Sequence, residues 1–135
     1  MTYALAASLQ QSVFQHLAAD PAVVATLGSD LFDAMPTGTL PQIYGVLGAE
    51  EVLDRSDVSG GGARHRFIVS VFTSSAGFVV AKEAAAAICD ALVDAPLSLS
   101  RGRLVGIWFE RASAQRLDEG GRSITLMFAA RVEDD

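Results

Sequence analysis

Between Arg66 and Pro96 the hydrophobic spacing changes period, and this change limits the available folds more than any other feature of the chain. RFIVSVFTS alternates, with Phe67, Val69 and Val71 on one side and Arg66, Ile68 and Ser70 on the other, as a strand requires. Phe72 then adds an apolar group to the second side. GFVVAKEAAAAICDALVDAP follows with a helical stripe of Ala81, Ala85, Ile88, Cys89 and Leu92, which Pro96 closes. Small side chains let a helix axis lie close to its support. The pattern therefore predicts a long helix laid directly on a sheet.

The flanking segments extend this picture. Leu5, Leu9, Val13 and Leu17, with Phe14 beside them, form one apolar stripe of an N-terminal helix, and Gln10, Gln11 and Gln15 lie off it. In DPAVVATLG, Asp20 suits a cap, Pro21 the first turn and Gly28 the position after the last, so a short second helix is expected. LFDAMP leads into a turn built from Pro36, Gly38 and Pro41. QIYGVLGAEEVL reads as a strand, with Gly45 and Gly48 marking a twist or a close approach. Two closing strands, in GRLVGIWFERASAQRL and RSITLMFAARVE, are joined by a turn over Asp118 to Gly121. In the last, Ile124, Leu126, Phe128, Ala130 and Val132 share a face. In its partner, Val105, Ile107 and Phe109 alternate with Leu104, Trp108 and Glu110.

The expected order is helix, short helix, strand, strand, long helix, strand, strand. It predicts one α+β domain over residues 1–135: an antiparallel sheet of about four strands, with the N-terminal helix and the long central helix packed on one face. Ile68, Phe72, Trp108 and Met127 fall on the second face. Water is a poor neighbour for them, and another subunit a better one.

Composition excludes several function classes. Half of the 135 residues are hydrophobic and 19% are charged, which is the balance of a folded domain. A net charge of −6 argues against wrapping nucleic acid through its phosphates. Cys89 is the single cysteine, so neither an internal disulfide nor a thiolate cluster is expected. MTYALAASLQQSVFQHL lacks the basic start of an export signal, and no apolar run is long enough for a bilayer. Manufacture in the cytoplasm, with no membrane partner, is the expectation.

The stretch DRSDVSGGGARHRF, Asp54 to Phe67, poses the main chemical question. A phosphate loop needs inward amides followed by a helix N-terminus, whereas these glycines lead into an alternating strand. The lysine and hydroxyl residue of a nucleotide loop are absent too. A connector rich in serine and glycine is the simpler reading. A phosphate or small-ligand site over Gly60 to Arg66 stays as the alternative. His16, beside the glutamines, reads as a surface residue, and His65 lies between two arginines that disfavour a charged ring. Neither has ligands at metal spacing. Cys89 reads as a buried structural thiol, and Ser74 and Ser75 as caps of the long helix. Glu50 and Glu51 are adjacent on a strand and face opposite ways, which is poor geometry for a paired acid and base. No catalytic residue, cofactor site or metal site is expected, and the chain is not read as an enzyme.

LAADPAVVATLGSDLFDAMPTG followed by LPQIYGVLGAEE is similar to the opening of the tail completion, or tail terminator, family of long-tailed phages and phage-like gene transfer agents. VSVFTSSAGFVVAKEAAAAICDAL and LSLSRGRLVGIWFERASAQRLDEGGRSITLMFAARVE resemble the family's middle and closing hairpin. The resemblance covers nearly the whole chain, and its specificity lies in the order of the motifs. It implies a homo-oligomeric ring, usually a hexamer, that caps the tail tube protein, ends tube growth and meets the head-side connector or stopper protein. DNA would cross the lumen without sequence-specific binding, and the ring would reside at the neck of a virion or virion-like particle. A head–tail stopper is the neighbouring alternative. Within this reading, Asp54, Arg55, Asp57, Gly60, Gly61, Gly62 and Arg64 are candidate assembly contacts, and Asp54 to Arg64 is expected to be mobile in the free chain and ordered, or lumen-facing, in the assembly.

Overall fold

The computed structural model describes residues 2–54 and 62–134. Helix α1 (Ala6–Ala19) buries Leu9, Val13 and Leu17 almost completely, together with Leu5 just before it. Helix α2 (Pro21–Leu27) starts where expected. The Asp20 carboxylate accepts hydrogen bonds from the amides of Ala22 and Val23, both at 3.1 Å, and Pro21 has no amide hydrogen to satisfy. Gly28 ends the helix at φ 61°.

Strands β2 (Ile43–Asp54), β3 (Gly62–Thr73), β4 (Arg103–Arg116) and β5 (Arg122–Glu133) form the antiparallel sheet that the alternation predicts. A fifth strand was not foreseen: β1 (Leu31–Phe32) pairs parallel to β2 at Gly45 and Val46. The chain leaving α2 lies against the sheet edge there, and the Gly45 amide donates to the Asp30 carbonyl at 2.9 Å. The strand order is β1-β2-β3-β5-β4, so β3 and β5 are central and β4 closes one side.

All three helices lie on one face. Helix α3 (Val79–Leu92) crosses β3, β4 and β5, α2 meets β2, and α1 packs on α2 and α3. Ala81, Ala84, Ala85 and Ala87 are buried, between the sheet on one side and the other helices on the other, and Ile88 and Leu92 join them in the core. The opposing sheet residues are those read from the alternation: Phe67, Val69 and Val71, then Ile124, Leu126, Phe128, Ala130 and Val132. The Phe67 and Phe128 rings stack at 5.7 Å.

Four expectations need correction. Ser74 and Ser75 do not cap α3: its N-cap is Phe78, without a side-chain hydrogen bond, while the Ser75 amide donates to Thr73 Oγ1 at 3.1 Å. The connection from strand to helix is longer than the sequence suggests. His16 is half-buried, its Nε2 lying 2.8 Å from the Ala91 carbonyl, and so ties α1 to α3. Cys89 is also half-buried instead of fully enclosed. In β4 the simple alternation fails, because extra residues at Val105 and Glu110 break the register against β5. Leu104 therefore packs on the core, and Val105 is 49% exposed.

Candidate assembly surfaces

Three surfaces of the sheet stand outside the core, and each is built by strand parity. The first is the face away from the helices. Arg66, Ile68, Ser70 and Phe72 point to it from β3, and Thr125, Met127 and Arg131 from β5, all half-buried. Trp108 joins them from β4. Ile68, Phe72, Trp108 and Met127 thus share the second face, as the alternation predicts.

A charge cluster occupies one part of this face. The bulge at Glu110 turns its carboxylate across β5, over the small side chain of Ala129, to two arginines of β3. Glu110 accepts from Arg66 Nε at 2.9 Å and from Arg64 Nη2. The Arg64 guanidinium also lies 5.3 Å from the centre of the Trp108 ring, within cation–π range. Glu51 sits 3.9 Å from Arg66 at the other side. Beside the cluster is an open depression of ≈ 580 Å³, bordered by Ile68, Arg111 and Met127 as well as these charges. Towards the opposite end of the face the character becomes aromatic, with Phe32, Tyr44 and Phe72 in sequence at 6.3 Å and 5.2 Å. Burial, and then the charge of Glu119, hold the Tyr44 phenol above its ordinary value.

The second surface is a groove of ≈ 280 Å³ between α3 and β4. Phe109, Ala112 and Ala114 point to the helix side, but α3 does not reach over them, so Phe109 is 42% exposed. Lys82, Ala86 and Cys89 form the helical wall. The Cys89 thiol is pushed up by burial and then by Asp90, the opposite of what a nucleophile needs.

The third surface is the outer margin of β2. Glu50 and Glu51 do face opposite ways. Glu50 lies on the helix side, where it accepts from the Tyr3 hydroxyl and stands 3.5 Å from His65 Nδ1. His65 is fully buried, and neither ring nitrogen has a hydrogen-bond partner among the described residues.

The candidate assembly residues divide. Arg55, Asp57, Gly60 and Gly61 lie outside the described residues. Asp54 and Arg64 belong to the β2–β3 ladder, in which Asp54 pairs with Ala63 and Leu53 with Arg64, and Gly62 pairs with Glu133 of β5. Strand pairing therefore enters the expected connector from both ends. Arg64 and Arg66, the cations of the phosphate alternative, share the Glu110 carboxylate, with Glu51 3.9 Å from Arg66. Among the described residues no group of His, Cys, Asp and Glu is placed to hold a metal, and no helix is long and apolar enough to cross a membrane. The sequence reading missed Glu110, whose partners lie more than forty residues away, and the groove at Cys89 and Phe109. No local signal could have shown either.

A comparison with curated proteins gives no match. Among solved structures, a chain of "Virion of native gene transfer agent (GTA) particle" is similar to this one, with 53% identity and a TM-score of 0.92. The match covers 98% of this chain and 99% of that chain. Residues 11–133 match the family model described as "Tail completion protein gp17". The chain belongs to the tail completion protein gp17 family.

Proposed function

We propose that the protein forms a ring, six copies in number, that caps the tail tube, ends its growth and joins it to the head-side connector in a phage-like or gene transfer agent particle. The observation that carries this reading is the end-to-end likeness, at 53% identity, to a chain of a gene transfer agent virion. At that identity the surfaces used in a particle are expected to be kept along with the core. The fold is compatible with the role: a rigid sheet backed by helices leaves one face, one groove and two margins for other chains.

DNA would pass through the lumen without sequence-specific contacts. The net charge of −6 favours this, because like charge weakens lasting phosphate contact. Retention of duplex DNA by the purified chain at low salt would count against it. Arg55, Asp57, Gly60 and Gly61, with the strand ends at Asp54, Gly62 and Arg64, are proposed to contact a neighbouring subunit. Amide exchange over 54–64 should slow on assembly; equal exchange in both states would remove this assignment.

The ring is tested by native mass measurement of the chain alone and mixed with its tail tube protein. A six-copy species, alone or with the tube, is expected. A monomer indifferent to the tube protein would contradict the reading.

A further inference from the structure

The two margins of the sheet are unequal in a way that specifies a partner. At one side β1 covers only Gly45 and Val46, so the outer backbone of β2 from Leu47 to Leu53 has no strand partner among the described residues. Gly48, Ala49 and Glu51 are exposed along it. At the other side β4 is the terminal strand. Its early part is covered, since the Ile107 carbonyl accepts from the Asp94 amide at 3.2 Å in the segment after α3. The later part has no strand partner among the described residues. Arg111 to Arg116 are all exposed and hold an unbroken register against β5, beyond both bulges.

Such an edge is a template for another strand. Bulges, inward charges and proline are the usual defences; this run of β4 has none of them, while the open part of β2 has one bulge, at Ala49, with Glu50 turned to the helix side, and runs in unbroken register beyond it. The charges on the two margins are opposite. Arg111 and Arg116 mark the open part of β4, whereas Glu50 and Glu51 stand on the open part of β2, with Asp30 and Asp33 flanking β1. Glu110, the acid of β4, is already taken by Arg64 and Arg66. Direction agrees as well. Successive antiparallel pairings make β4 run opposite to β2. A second copy generated by rotation about an axis along the strands therefore offers its β2 antiparallel to β4.

We propose that the open half of β4 pairs with the outer edge of β2 in the next copy, carrying the sheet across the subunit boundary head to tail. This rests on the ring reading above and assigns its seam. Phe109, Ala112 and Ala114 then meet the helix side of the neighbour's β2, which fills the groove under α3. Because the two margins differ, the contact is heterologous and closes only through repetition around an axis.

The test uses assembled particles in a Cys89→Ala background. Chains carry Ala49→Cys or Glu51→Cys together with Ala112→Cys or Ser113→Cys, all at exposed positions, so that four pairs span the neighbouring registers. At least one pair should give, on oxidation, a covalent ladder with rungs at multiples of 14.2 kDa, and each single substitution should give none. No ladder from any pair would overturn the seam. A cross-linked dimer from an Ala112→Cys or Ser113→Cys chain alone would also overturn it, since it would mean that β4 pairs with β4. Copy number per particle, counted by quantitative mass spectrometry, separates the two claims. Several copies without a ladder overturn the seam and leave the ring, whereas a single copy overturns both.

Discussion

Gly102 shows how much can depend on one side chain's absence. It stands at φ 74° just before β4, and a Cβ there would come within 2.6 Å of the Glu133 carbonyl and 2.7 Å of a Leu5 methyl. The position is unfavourable twice over, in backbone conformation and in space. Gly102→Ala should lower stability by about 2–3 kcal/mol, read from urea unfolding, mainly by separating the start of β4 from the end of β5. An unchanged midpoint would contradict this. Cys89 gives a second prediction at this scale. Burial, and then Asp90, favour the neutral thiol in the folded state, so its stabilising share is complete below the ordinary thiol range and lost as pH rises through the raised value. Alkylation by iodoacetamide should be slower than for a free thiol at neutral pH and should rise at higher pH than usual. A rate equal to that of a free thiol would contradict it. His65 follows the parity of its strand: the alternation that buries Phe67, Val69 and Val71 turns its ring inward and the two flanking arginines outward.

Elements were easier to read than single residues. The stripe of α1, the alanines of α3 and the alternation of β3 and β5 all appear in the sequence, because each is buried on one side by a regular neighbour. The cap of α2 is similarly local. Removing it with Asp20→Ala should cost about 1 kcal/mol in thermal or urea unfolding, since two amide hydrogens lose their acceptor. A loss under a few tenths would contradict the cap's role. What could not be read was decided between distant elements. β1 forms only because the chain after α2 is delivered to β2, and two residues carry no periodic signal. The bulges of β4 turn Leu104 inward and Glu110 across the sheet, and they depend on where β5 lies. Likewise the groove at Phe109 exists because α3 stops short of the edge, a matter of packing and not of pattern.

For the whole molecule, the family was legible in the order of the motifs along nearly the full chain, and residues 11–133 carry the family match. The uncovered face was legible in the alternation, through Ile68, Phe72, Trp108 and Met127, whereas the open edges and the groove were not, since they are defined by what the rest of the fold leaves uncovered. The proposed role is to end tail growth and to link the tail to the head. The most direct measurement is electron microscopy of particles from cells in which this one gene is deleted. Over-long tubes detached from filled heads are predicted, with normal length and joining restored by the wild-type gene. Tails of ordinary length joined to heads in its absence would contradict the account.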